Sequence, residues 1–243
     1  VTLPSLTPSP TPSPTGRPTL AVAAAARVGP GATGAELPAV PGFIASAFNP
    51  LVRETVRRCL GEPGADNPLV GPHPDTTAVV LATVAGDATT SDLASQRLVS
   101  GRVHNPLLFL QSVTTSILGH LTIEYGLTGP VSCLAADSGV GAEALDAAEL
   151  LLLDDDIDQV LLIAAELAAN PRTGAAFAHL AASGGTGLPP GGDLAVALLL
   201  REAEAGGTGT ELAEPLYPQG DLGHLAALVT QADRAQNALG ATR

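Results

Sequence analysis

The chain has 243 residues and contains no lysine, tryptophan or methionine. Eleven arginines stand against 24 acidic side chains, for a formal net charge of −13. A chain so short of cations is a poor match for nucleic acid or an anionic bilayer, so neither is an expected partner. Cysteine is nearly absent too. Cys59 and Cys133 form neither a CxxC pair nor a pattern with histidine, which excludes a disulfide framework and a zinc site and makes a reducing cytoplasm the expected setting. No apolar run is long enough to span a bilayer; Leu194 to Leu200 is typical. The Pro/Thr/Ser-rich first residues lack the basic start and apolar centre of a signal peptide. Missing lysine beside abundant Ala, Gly and Pro reads as the codon usage of a GC-rich genome.

Metal and phosphate motifs are equally wanting. His73, His104 and His179 share no ligand spacing, and Asp154, Asp155, Asp156 and Asp158 lack the spacing and loop glycine of an EF-hand, so they read as a solvated helix-to-strand turn. Gly184 to Gly192 has no Lys-Ser/Thr ending and precedes a strand, which makes it a surface loop. No cofactor and no metal are expected.

What is present is a 45% apolar composition, ample for one substantial core. Residues 1–18 are a Thr-Pro-Ser leader that cannot bury enough surface to offset ordering entropy, so they are expected to be disordered or polyproline-like. Residues 19–243 form the expected single domain. Continuous apolar runs at Leu20–Ala26, Thr77–Val84, Val131–Ala136, Gln159–Ala165 and Leu194–Leu200 predict strands buried on both faces. Helical patterns fall at Pro50–Leu60, Ser112–Tyr125 and Ser138–Leu153, where Val140, Ala144, Ala147, Ala148, Leu151 and Leu152 share a face. The order βαβαβαββ predicts an α/β fold with a five-stranded mixed sheet covered by helices. Between the last two strands no helix is expected, only the Gly/Pro-rich stretch from Ser183 to Gly192, so the fifth strand is expected to run antiparallel. Asp221 is a candidate N-cap for a terminal helix with Leu222, Leu225, Ala226 and Val229 on its apolar side and Gly240 at its end.

Gly119-His120-Leu121-Thr122-Ile123, Tyr125-Gly126-Leu127 and Gly129-Pro130 carry the most specific signal. Together with Ala164-Ala165-Glu166 and with Gly192-Asp193 ahead of the run ending at Arg201-Glu202, this pattern resembles the N-terminal half of a β-ketoacyl synthase. The resemblance is best from Phe109 to Glu166. It implies half of a thiolase-like fold. In that register the family's nucleophilic cysteine is replaced by Ser138, and the two family histidines belong to a second half not found here. Gly207-Thr208-Gly209-Thr210 and Gly223-His224 echo the family's His-Gly-Thr-Gly-Thr and Gly-His, but follow the fifth strand directly and are read as turn and helix-start sequences. No catalytic residue is therefore expected. Cys133 reads as a buried, inert thiol and His120 as a core or interface residue.

The resemblance further implies a chain-length factor, the non-catalytic partner of a ketosynthase in a type II polyketide synthase, best matched by the compact forms of highly reducing or aryl-polyene systems. The family pairs its third strand across a two-fold axis, which assigns Val131, Cys133 and Ala135 to the interface. The preceding helix would face the partner's acyl tunnel, making Phe109, Gln111, Thr114, Thr115 and Leu118 candidates for its wall; ordinary core packing is the competing reading of the same residues. Acyl carrier protein, characteristically acidic, would dock on the ketosynthase. Two other readings remain: an acyltransferase or thioesterase using Ser138 with His224 as base, and a thiolase-like scaffold or homodimer without a polyketide role.

Overall fold

A computed structural model of the chain describes residues 19–29, 37–64, 66–102, 106–136, 139–168, 170–183, 192–203, 210–211 and 226–240. The Pro/Thr/Ser leader, His104, Ser138, the Gly184–Gly191 part of the loop, Gly207–Gly209, Asp221, Leu222, His224 and Leu225 lie outside these residues.

Among the described residues six strands form one sheet in the order β3-β2-β4-β5-β1-β6. The runs that build its centre are apolar at nearly every position. β2 (Thr77–Thr83) and β4 (Gln159–Glu166) are buried along their whole length, as is β5 (Leu194–Glu202) up to Leu200. β2 lies parallel to both β3 (Val131–Ala135) and β4, while β5 runs antiparallel to β4 and to β1 (Leu20–Val28). The expected five-stranded mixed sheet is thus present, with the antiparallel fifth strand. The two-residue β6 (Thr210–Glu211) adds a short sixth strand on the β1 edge.

The strands' alternating side chains feed two cores. Val79, Leu81, Leu161, Ile163, Ala197 and Leu199 pack on one face with α1 (Phe48–Leu60) and α4 (Ser116–Tyr125). Val80, Ala82, Val160, Leu162, Val196 and Leu198 pack on the other with α5 (Val140–Leu151) and α7 (Ala226–Gly240). Helix α1 ends where Gly61 takes φ +88° and donates to Arg57 O; the Tyr125 hydroxyl donates to Gly61 O at 2.8 Å and ties α4 to that end. Within α1, the buried Glu54 accepts from Arg57 (2.9 Å) and Arg58 (2.8 Å), and these hydrogen bonds hold its carboxyl below the usual value of 4.5.

Several expectations need correction. A helix, α6 (Pro171–Ala182), does lie between β4 and β5. It starts on an Asn170 cap with Pro171 at its first turn, but only Phe177 is buried, so it carries no apolar stripe to read. His179 lies on this helix. The helix expected over Ser112–Tyr125 starts later, as α4 at Ser116; Ser112 instead ends a separate helix, α3 (Pro106–Ser112), and Val113-Thr114-Thr115, where β-branching disfavours the helix, lies between the two. A polar helix, α2 (Ala88–Val99), follows β2 with only Thr90 buried. Lastly, β3 is not buried on both faces: Val131, Ser132 and Ala135 are exposed, because β3 ends the sheet among the described residues.

Gly129, just before β3, has no room for a side chain. A Cβ there would lie 2.8 Å from the Thr77 carbonyl carbon and 2.9 Å from Asp75 O, backbone atoms that cannot swing away. Gly129→Ala should cost about 2–4 kcal/mol in urea unfolding, whereas Gly119→Ala, which meets nothing within 4 Å, should be neutral or stabilising. Glu54 gives a second expectation. Its depressed pKa contributes stability that is present above pH 4.5 and lost as pH falls through the folded value. Glu54→Gln should lower the unfolding midpoint at pH 7 and flatten its decline between about pH 5 and 3.

Candidate functional site

Because β2, β3 and β4 are parallel, their C-terminal ends lie at the same end of the sheet. The end of β4 supplies Glu166, fully buried. Its Oε1 accepts from Thr83 Oγ1 (2.8 Å) and from Val84 N, and its Oε2 from Ala85 N (3.2 Å). Thr83 Oγ1 in turn accepts from Gly86 N at 2.8 Å. One carboxylate therefore folds the turn after β2 back onto the end of β4, where the turn delivers Asp87 as the N-cap of α2, accepting from Thr90 N at 3.1 Å. A second clamp joins the following helices: Asp92 on α2 accepts from Asn170 Nδ2 at 3.3 Å and pairs with Arg172 at the start of α6.

Beyond β3, Gly139 takes φ +70°, a left-handed conformation that glycine adopts without penalty. Its carbonyl accepts from Ala142 N (2.8 Å) and Glu143 N (3.0 Å), and no side chain caps α5. Gly139 directly follows Ser138 in the sequence. The first amides of α5 are of the kind that stabilise an oxyanion in acyl-transfer chemistry.

Neither thiol suits nucleophilic attack. Cys59 is fully buried and pushed up to about 12, and burial also raises Cys133, half-exposed on β3 and packed against the first core. The described histidines are spread over the structure. His73 shares a 2.9 Å contact with Asp158 before β2; His120 lies 3.4 Å from Glu124 and edge-on to Phe43; His179 is exposed on α6. Glu124 also receives a forked Arg53 at 2.8–3.0 Å, which fits His120 as an internal α4 anchor. The acidic turn is as expected: Asp154, Asp155 and Asp156 are exposed.

The residues proposed from sequence for a tunnel wall fall into two groups. Phe109 (73% exposed) and Thr115 stand at the surface, with Leu107 and Leu110 exposed beside Phe109 on α3. Gln111 and Leu118 are buried instead, Leu118 within the first core. Thr114 is half-buried against Gly86, where an added Cβ would lie 2.6 Å from its Oγ1. Val131 (48% exposed) and Ala135 face outward on β3. Two contributors escaped the sequence reading, Asn49 on α1 and Asp87. The Gly86-Asp87 pair followed by Thr90 is the signal that could have found the cap of α2.

The sequence model described as the β-ketoacyl synthase, N-terminal domain, matches residues 45–187, more than half of the chain. Compared by sequence with curated proteins, the chain has no match. Solved structures share its fold. One is a ketosynthase (ApeO) in complex with its chain length factor (ApeC) from Xenorhabdus doucetiae, at 20% identity and a TM-score of 0.56, with 77% of this chain covering 80% of that one. Another is the ishigamide ketosynthase/chain length factor, at 18% identity and a TM-score of 0.58, with 91% covering 74%. A third is the AntDE:AntF complex of a type II polyketide synthase acyl-carrier protein with its ketosynthase bound to the hexaketide, at 14% identity and 0.53, with 76% covering 63%.

Glu166→Ala removes the acceptor from Thr83, Val84 and Ala85 together. Leaving these donors without their carboxylate should cost about 2–4 kcal/mol in chemical denaturation, while Asp92→Ala, on the exposed Arg172 pair, should cost under about 1 kcal/mol.

Proposed function

Because the chain belongs to the β-ketoacyl synthase N-terminal domain family, we propose that it is the non-catalytic chain-length factor of a type II polyketide synthase, of the highly reducing or aryl-polyene kind, acting only when paired with a ketosynthase. The observation that carries this reading is the sheet edge that β3 forms among the described residues. β3 presents Val131 and Ala135 outward, and α3 exposes Leu107, Phe109 and Leu110. An uncovered strand edge is a template for pairing with another chain, and a ketosynthase whose own third strand is equivalent would continue the sheet.

The chemistry supports the same division of labour. A condensing site needs a thiolate, basic groups for decarboxylation and oxyanion donors. By the family resemblance Ser138 stands where the family places its cysteine, and burial raises the pKa of both cysteines of the chain. The partner supplies thiolate and histidines; this chain supplies a wall. Phe109 and Thr115, being exposed, are the residues able to meet a growing acyl chain in the partner's tunnel, and steric contact there limits further extension. With a net charge of −13 the chain repels an acidic acyl carrier protein, which docks on the ketosynthase. The pairing of ketosynthase with chain length factor in the ApeO/ApeC and ishigamide structures is in keeping with this assignment.

The test is co-expression with the ketosynthase, followed by sizing and product analysis. A heterodimer is expected. Phe109→Ala removes an exposed side chain, so stability should change by only about 0.5 kcal/mol while products lengthen; Thr115→Phe should shorten them. Leu118 and Thr114 are unsuitable probes because one is core and the other is wedged against Gly86. Ser138→Ala should leave condensation nearly unchanged, whereas replacing the partner's cysteine should abolish it. Parental products from both stable heterodimer variants would reduce the chain to a structural partner. A fall of several powers of ten in Ser138→Ala would instead make it a serine-dependent acyl-transfer enzyme.

A further inference from the structure

Three side-chain oxygens at the junction of α1, α2 and α3 meet no hydrogen-bond donor among the described residues: Asn49 Oδ1, Asp87 Oδ2 and Gln111 Oε1. All three residues are at least nine-tenths buried. Buried acceptors are almost always satisfied in folded proteins, so three at one junction require a partner.

The hydrogen bonds around them place the three together. Asn49 Nδ2 donates to Gln111 O at 3.3 Å, which commits the amide nitrogen to α3 and turns Oδ1 away from that bond. Asn49 N donates to Ser46 Oγ at 3.0 Å. Thr90 Oγ1, on the turn that Asp87 caps, donates to Ala45 O at 3.4 Å, bringing the start of α2 against the segment leading into α1. Gly86 abuts Thr114, which brings the same turn against the segment leaving α3. Asp87 thus sits between the two segments that carry Asn49 and Gln111.

The donor set indicates the ligand. It consists of one carboxylate and two amide oxygens, all hard, with a formal charge of −1 and neither nitrogen nor sulfur. Transition metals favour imidazole and thiolate, and divalent calcium takes more carboxylates. No group of three His, Cys, Asp or Glu gathers among the described residues. A single negative charge with neutral oxygens balances a monovalent cation. We propose that this junction binds an alkali cation, sodium or potassium, through Asn49, Asp87 and Gln111, and that the ion pins α3 to the turn after β2. The inference stands on these oxygens alone and does not depend on a role in chain-length control.

Thermal unfolding of the full chain, as purified, would be compared in potassium, sodium and choline chloride at equal ionic strength. An alkali salt should raise the midpoint by about 5 °C over choline. Asp87→Asn keeps the oxygen that caps α2 and replaces Oδ2 with an amide able to donate to its neighbours, so its midpoint should be the same in all three salts. Equal midpoints for the unaltered protein would mean that water satisfies these oxygens and would overturn the proposal, as would a cation effect surviving in Asp87→Asn. Should that variant fail to fold, thallium(I) soaked into crystals of the unaltered protein decides. An anomalous peak in contact with the Asp87 carboxylate supports the site, and its absence there overturns it.

Discussion

The register of the three parallel strands is fixed at their N-terminal ends, in the short loop that leads into β2. Thr77 Oγ1 donates to His73 O at 2.5 Å and accepts from Gln159 Nε2 at 2.8 Å, while Thr76 O accepts from Asp158 N and Gln159 N. On the other side, Thr128 N donates to Pro74 O and Gly129 lies flat on the Thr77 carbonyl. Both neighbours of β2 are therefore indexed to the same few residues. A slip of one position would reverse the faces of Val79, Val80 and Leu81 and exchange the contents of the two cores.

With register set at one end, the other end is free to be polar. Glu166, Asp87, Asn49 and Gln111 place buried oxygens where the strands finish, at the cost of desolvation; Thr83 Oγ1 and two backbone amides hold Glu166 and Thr90 N holds one Asp87 oxygen, while Asn49 Oδ1, Asp87 Oδ2 and Gln111 Oε1 meet no donor among the described residues. This end of a parallel sheet is where α/β proteins carry out recognition and chemistry. The two thiols lie away from it, one buried on α1 and one on the edge strand.

The central strands were plain in the sequence because burial on both faces leaves an unbroken apolar run, and α5 was plain because one face packs on the sheet; its Val140, Ala144 and Ala148 are buried as the spacing requires. Elements that bury little were not. Helices α2 and α6 each bury a single side chain, so only their caps at Asp87 and Asn170 announce them. β3 misled for the opposite reason: an apolar strand reads the same whether its neighbours belong to its own chain or to another. Of the site, Glu166 was legible through a family motif, yet its partners Thr83, Val84 and Ala85 lie more than eighty positions away and only the fold brings them together. The separation of exposed Phe109 from buried Gln111, two positions apart on a seven-residue helix, likewise depends on which neighbours α3 meets.

The edge at β3 also bears on how much of the chain a cell can hold. Backbone donors and acceptors on an outer strand are satisfied by water until another strand arrives, and Val131 gains burial only then. Copies made in excess of a covering partner would keep that edge open, and so stay exposed to quality-control proteases or to one another. Under the proposed pairing, abundance is governed by the scarcer component, and the two subunits reach equal numbers without any regulation beyond their own contact.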